Sequence, residues 1–251
     1  MKAISAISVM AASAALLAFG VPAQASKMDS RIEASAKQSY VFKTFLKDDA
    51  VKIDSRDGVV SLTGSVAEIS HKSLAQDAVA GLPGVKSVDN KLEVKGAPTA
   101  SSDAWLSDKL KITLMFHRSV SAGNAEVQVK DGVVTLRGAA DSQAQKELTT
   151  EYAKDIEGVK DVDNEMTVST ASTNTVRTTG EKMDDSSITA QVRMALLFHR
   201  STSVLNTSVA TKRGVVTVGG KAGNTAEIDL VTKLVDDING VKSVKNLMTV
   251  E

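Results

Sequence analysis

Two glycine-bracketed blocks recur three times, and this repetition limits what the chain can fold into more than any other feature. Gly58-Val59-Val60-Ser61-Leu62-Thr63-Gly64 returns as Gly132-Val133-Val134-Thr135-Leu136-Arg137-Gly138 and again as Gly214-Val215-Val216-Thr217-Val218-Gly219-Gly220. Gly84-Val85-Lys86-Ser87-Val88-Asp89-Asn90 returns as Gly158-Val159-Lys160-Asp161-Val162-Asp163-Asn164 and as Gly240-Val241-Lys242-Ser243-Val244-Lys245-Asn246. The leading glycines of the two blocks are 26 residues apart in every copy (58 to 84, 132 to 158, 214 to 240). The copies align without gaps over 29–94, 103–168 and 185–250, so one unit has been used three times.

Periodicity within the unit predicts its elements. Apolar residues four apart (Ile32, Ala36, Tyr40; Leu106, Leu110, Leu114; Ile188, Val192, Leu196) mark one face of a first helix. Alternation around Val51, Val127 and Val209 reads as a strand, and Asp57-Gly58, Asp131-Gly132 and Arg213-Gly214 read as a tight hairpin turn into the Val-Val strand. Leu74, Ala78 and Leu82, with Leu148, Tyr152, Ile156 and Leu230, Leu234, Ile238, mark a second helix, expected to end at the glycine of 84, 158 or 240. A final alternating strand carries Val88, Asn90, Leu92 and Val94 and their counterparts. The unit is therefore α-β-β-α-β, two helices on one face of a three-stranded mixed sheet, an α+β fold. The place of the third strand beside the first or the second stays open. A unit of this size is marginally stable alone, so docking between units is expected.

The ends and joints are legible too. Met1 and Lys2, an apolar run to Phe19, then Gly20, Pro22 and Ala23-Gln24-Ala25, have the order of a secretory leader cleaved after Ala25. The rival, a membrane anchor, is cut short by Gly20 and Pro22, and no later segment is long and apolar enough to span. Residues 1–25 are thus read as leader, 27–96, 103–168 and 185–251 as the three domains, and 97–102 and 169–184 as linkers, the second rich in Ser and Thr. The expected compartment is the periplasm. No cysteine is present, so there is no disulfide framework, and with 30 basic against 30 acidic residues the chain has no electrostatic footprint for nucleic acid.

The element order, the Gly-Val-Val-x-Leu-x-Gly strand and the later Gly-Val-x-x-Val-x-Asn-x-Leu/Met-x-Val strand together resemble the BON domain (bacterial OsmY and nodulation). The resemblance covers nearly all of the chain beyond its leader. It implies a non-enzymatic periplasmic binding protein of the cell envelope, associated with hyperosmotic or envelope stress, in peripheral contact with a membrane phospholipid surface or with envelope proteins. A periplasmic holdase chaperone for outer-membrane or secreted clients is the alternative.

No residue pattern asks for a cofactor, a metal or a catalytic role. The glycines bracket strands and lack phosphate-loop spacing. The repeated asparagines, Asn90, Asn164 and Asn246, are read as satisfying backbone groups near the Gly-Val turn. Phe116-His117-Arg118-Ser119 and Phe198-His199-Arg200-Ser201 share a place near the end of the first helix, where imidazole and guanidinium complement the helix dipole. One feature is a candidate lipid or partner surface: a second apolar stripe on the first helix, comprising Trp105, Ile112, Met115 and Phe116 with Arg118 at its edge in copy two, and Met194, Leu197, Phe198 and Arg200 in copy three. Copy one weakens it to Gln38, Val41 and Phe42. The competing account is packing against the unit's own second helix or a neighbouring unit.

Overall fold

A computed structural model describes residues 22–95, 102–120, 125–168, 183–202 and 207–251. Residues 1–21, the greater part of the expected leader, and most of both expected linkers lie outside them. The described chain forms three modules. Module 1 holds α1 (Pro22–Gln38), α2 (Tyr40–Thr44), β1 (Ala50–Arg56), β2 (Val59–Val66), α3 (Ile69–Ala80) and β3 (Ser87–Val94). Module 2 holds α4 (Asp103–Phe116), β4 (Ala125–Lys130), β5 (Val133–Ala140), α5 (Gln143–Lys154), β6 (Asp161–Asn164) and β7 (Thr167–Val168). Module 3 holds α6 (Asp185–Phe198), β8 (Thr207–Lys212), β9 (Val215–Ala222), α7 (Thr225–Asp236) and β10 (Ser243–Val250).

The Val-Val strand is central in every sheet. β2 pairs antiparallel with β1 and parallel with β3, and β9 relates to β8 and β10 in the same way. The third strand therefore lies beside the second, as the helical crossover between them permits. In module 2 the third strand is broken into β6 and β7, both alongside β5. One face of each sheet is covered by helices, and Val60 and Leu62, Val134 and Leu136, and Val216 and Val218 are fully buried there.

Each hairpin turn has two residues of positive φ, Asp57 with Gly58, Asp131 with Gly132, and Arg213 with Gly214. That is the twist a two-residue connection between right-twisted strands needs. An aspartate clamps each turn, from within α1 in module 1 and from the first residue of α4 and α6 in modules 2 and 3. Asp29 accepts from the amides of Asp57 (2.8 Å) and Gly58 (2.9 Å), Asp103 from those of Asp131 (2.7 Å) and Gly132 (2.9 Å), and Asp185 from those of Arg213 (2.6 Å) and Gly214 (2.8 Å). These amide bonds, Gly58 first, hold the Asp29 carboxyl below the usual carboxylate range.

Several expectations are corrected. The second helix does not run to Gly84, Gly158 or Gly240. It ends at Ala80, Lys154 or Asp236, and a separate turn follows in which the Val85 amide donates to Leu82 O (3.2 Å), with the same bond at 159 and 241. Glycine is the third residue of that turn, at φ near +90° (94°, 100° and 85°), where a side chain is strained. The first helix of module 1 is not continuous. It breaks at Ser39, leaving Tyr40 half-buried and putting Val41 in the core instead. Leu148 is 36% exposed, although its counterpart Leu74 on α3, the helix that packs against α6, is buried.

Candidate functional site

The second apolar stripe lies where the modules meet. α6 is the central helix of the molecule, with 11 of its 14 residues buried. Ile112, Phe116, Met194 and Phe198 are all buried. Phe116 packs edge-on against Phe45 of module 1, with ring centroids 5.5 Å apart. Those four side chains fill the joint between modules and do not form an open surface.

Modules 2 and 3 are joined by a reciprocal clasp. The Arg118 amide donates to Asp237 O (2.9 Å) and the Asn239 amide to Phe116 O (2.8 Å). In the mirror half, the Arg200 amide donates to Asp155 O (2.8 Å) and the Glu157 amide to Phe198 O (3.0 Å). Each half is a short antiparallel bridge, His117 with Ile238 and Ile156 with His199. The two arginines complete it. The Arg118 guanidinium donates to Asp236 O at the end of α7 and to Val241 O just beyond it, and that of Arg200 to Lys154 O at the end of α5 and to Ile156 O and Val159 O just beyond it. A helix leaves its last carbonyls without intrahelical partners, and a cation there also meets the negative end of the dipole. The expected dipole role is thus real, but each arginine serves the helix of the other module.

The histidines sit inside this clasp, both buried. His117 stacks on Tyr152 at 4.0 Å between centroids, and its Nδ1 lies 3.2 Å from Asp237 Oδ2. The Tyr152 hydroxyl donates to the same carboxylate oxygen (2.7 Å). Burial alone would push Asp237 up, but the bonds from His117, Ser119 and Tyr152 outweigh it and hold the carboxyl below its ordinary value. Burial lowers His199 despite Asp155 nearby.

Module 1 docks differently. The break at Ser39 frees two backbone amides, and module 3 accepts both: Tyr40 donates to Asp184 Oδ2 (2.8 Å) and Val41 to Ser187 Oγ (3.1 Å). Asp184 also accepts from Ser186 and Ser187, and these bonds overcome burial to keep its carboxyl low. Arg193 reaches Asp77 at 3.7 Å. Asp108 of α4 has a less favourable setting: burial first, then the charge of Glu68 in module 1, pushes it up to about 6.

The remaining stripe residues are open to contact. Met115 is 40% exposed and Leu197, its counterpart, 49%. Trp105 is half-buried, with the ammonium of the buried Lys109 4.3 Å from its ring centroid. Lys109 also donates to Glu157 O (3.3 Å). The stripe therefore divides into an internal part, Ile112, Phe116, Met194 and Phe198, and an external part, Trp105, Met115 and Leu197, with Arg118 and Arg200 engaged across the joint.

The asparagines have a role other than the expected one. Asn90, Asn164 and Asn246 donate to the helix carbonyls of Lys72, Lys146 and Ile228, and each accepts from the amide two residues on. They pin the third strand to the second helix, away from the Gly-Val turn. The clamping aspartates 29, 103 and 185 recur at the same place in all three copies, which is their one signal in the sequence. Among the described residues no group of His, Cys, Asp and Glu has the geometry to hold a metal ion, and no helix is long and apolar enough to cross a membrane.

The BON domain family model matches residues 28–96, 102–170 and 184–251. The chain belongs to the BON-domain family. It is 32% identical over 143 residues to the Osmotically-inducible protein Y of Escherichia coli, covering 55% of this chain and 71% of that protein. It is 30% identical over 125 residues to the Outer membrane lipoprotein DolP of Haemophilus influenzae, covering 46% of this chain and 64% of that one, just under two thirds of its length. CdsD, a structural protein of the Type III secretion system of Chlamydia trachomatis, aligns at 18% identity over 90% of this chain and 92% of its own, with a TM-score of 0.25.

Proposed function

We propose that this BON protein is a non-catalytic, periplasmic binding protein of the cell envelope, serving under hyperosmotic or envelope stress by contact with phospholipid or with envelope proteins. The observation that supports it best is the pair of repeat-equivalent apolar side chains, Met115 and Leu197, left exposed beside an otherwise buried helix face. Exposed apolar groups beside a packed joint suit peripheral contact. The polar residues that all three modules share favour the same reading, because the aspartates hold turns and the asparagines hold strands. The relatedness to an osmotically inducible protein and to an outer membrane lipoprotein supports the compartment and the stress association.

Co-sedimentation with phosphatidylglycerol vesicles tests the lipid arm. The intact protein should pellet with vesicles, and the Met115→Glu/Leu197→Glu double variant should stay in the supernatant while melting normally. If neither protein pellets, contact with lipid is excluded. Suppression of aggregation of an unfolded outer-membrane protein then decides between a client-holding role and a specific protein partner.

A further inference from the structure

The three sheets share a backbone, yet their open faces, the sides away from the helices, differ in charge. Side chains of a strand alternate between its two sides, so Val60, Leu62 and their counterparts meet the helices and the residues between them face out. In module 2 four carboxylates stand on the open face, Glu126, Asp161, Asp163 and Glu165, against Lys130 and Arg137. Glu165 already holds Arg137 at 2.6 Å. Module 3 replaces those four acids, position for position, by Ser208, Ser243, Lys245 and Leu247. It also has Gly219 in place of Arg137, keeps a lysine at 212 and adds Lys221, so its open face carries three lysines and no carboxylate. Among the described residues none of these lysines takes part in an ion pair. Module 1 is balanced, with Arg56 held by Asp54 (3.1 Å) and Lys91 by Asp89 (2.5 Å).

The edges of the faces keep this difference. A lysine beside the hairpin turn, at 86, 160 or 242, is common to all three modules and cancels. The turn residue itself is Asp57 in module 1, Asp131 in module 2 and Arg213 in module 3. At the far end Asp141 adds an acid to module 2, and Glu251 follows β10 in module 3. With all of these counted, module 3 stays basic and module 2 acidic. Apolar groups stand amid both. Leu247 is 54% exposed and pairs with Gly219, which has no side chain to cover it, and Val133 is 40% exposed between Lys130 and Asp161.

Lys245 and Asp163 hold one repeat position, so the two faces match in span while opposing in sign. Sheets pack face to face with their strands nearly aligned, and complementary charge selects which faces meet. Within one chain modules 2 and 3 are joined through their helix ends, which leaves both open faces to another molecule. We propose that the open sheet face of module 3 docks on the open sheet face of module 2 in a second copy of this chain. The contact is head to tail, so each pair keeps one unused face of either kind and a third copy can add. It goes beyond the envelope-binding reading and does not rest on the exposed pair Met115 and Leu197.

Sedimentation velocity of the intact protein tests this. In about 20 mM salt the average sedimentation coefficient should rise between about 10 µM and about 500 µM protein, and about 500 mM salt should return it to the monomer value. Lys245→Glu spoils the module 3 face and Asp163→Lys the module 2 face, so each variant alone should associate at least about tenfold more weakly. Mixed in equal amounts they should associate again, because each brings the face that the other lacks. Lys221→Glu and Asp161→Lys repeat the design at a second pair of exposed positions, and all four variants should melt with the wild type. The proposal is overturned by a wild type that stays monomeric in low salt, by association that high salt does not weaken, by either single variant associating like the wild type, or by a mixture that stays apart. If the wild type is monomeric throughout and Lys245→Glu alone fails to pellet with phosphatidylglycerol vesicles, the face belongs to lipid and the second copy is excluded.

Discussion

Modules 2 and 3 close on each other symmetrically, whereas module 1 attaches to module 3 from one side. The difference traces to three residues. Copies two and three follow their buried phenylalanine with His-Arg-Ser, which supplies a guanidinium for the neighbour's helix end, and copy one has Lys43-Thr44-Phe45 at those positions. Module 1 has no such arginine, and its first helix breaks at Ser39, where two amides reach Asp184 and Ser187. A common fold thus leaves the choice of partner to a short stretch at one helix end.

The comparison can be broken most forcefully at the phenylalanine. Phe116→Ala removes a fully buried ring and should cost about 3–5 kcal/mol in urea unfolding. Phe42→Ala, at the equivalent but half-buried position of module 1, should cost clearly less, and equal costs would show that the joint does not depend on the paired modules. Arg118→Met and Arg200→Met come next. Each strips charged donors from exposed helix carbonyls and should cost about 1.5–3 kcal/mol, with faster hydrogen exchange at the Asn239 and Glu157 amides. Exchange at Tyr40 should not change.

Asp184→Asn tests the other side. Loss of the charged acceptor should destabilise by about 1 kcal/mol and speed exchange at Tyr40, while the clasp amides hold. Because this carboxyl titrates below its ordinary value when docked, its contribution is present above the ordinary aspartate range and is lost as pH falls through the lowered value. Asp108 has the opposite sign. Its value of about 6 in the folded protein means that the docked state takes up a proton more readily than the unfolded chain does. Stability from this residue is full below the ordinary value and declines as pH rises through 6. Solvent screening at a half-exposed site keeps the effect small, so Asp108→Asn should raise Tm by about 2 °C at pH 7.5 and leave it unchanged at pH 4.

The repeat made the fold legible because hydrophobic columns compared across three copies cancel accidental matches. Val60, Val134 and Val216 were visible as core from their recurrence alone. The joints were less legible, since no local pattern tells whether the second stripe faces a membrane or another module. Phe116 and Trp105 read alike in sequence, and only packing separates the buried ring from the half-exposed indole. The helix ends were misjudged for a related reason. Glycine at 84 matches both a helix stop and the third residue of a turn, and the three residues between helix end and glycine decide the matter. Recurrence did hold one unused clue, the aspartate that opens each unit and clamps its hairpin.

The reciprocal arginines also bear on how the protein could be taken apart. Helices α5 and α7 are each finished by a group from the opposite module, so a chain severed between positions 168 and 183 would yield two pieces with complementary open ends. Mixed in one tube, such pieces should find each other and restore the melting behaviour of the uncut protein, and neither should do so with a partner whose arginine has been replaced.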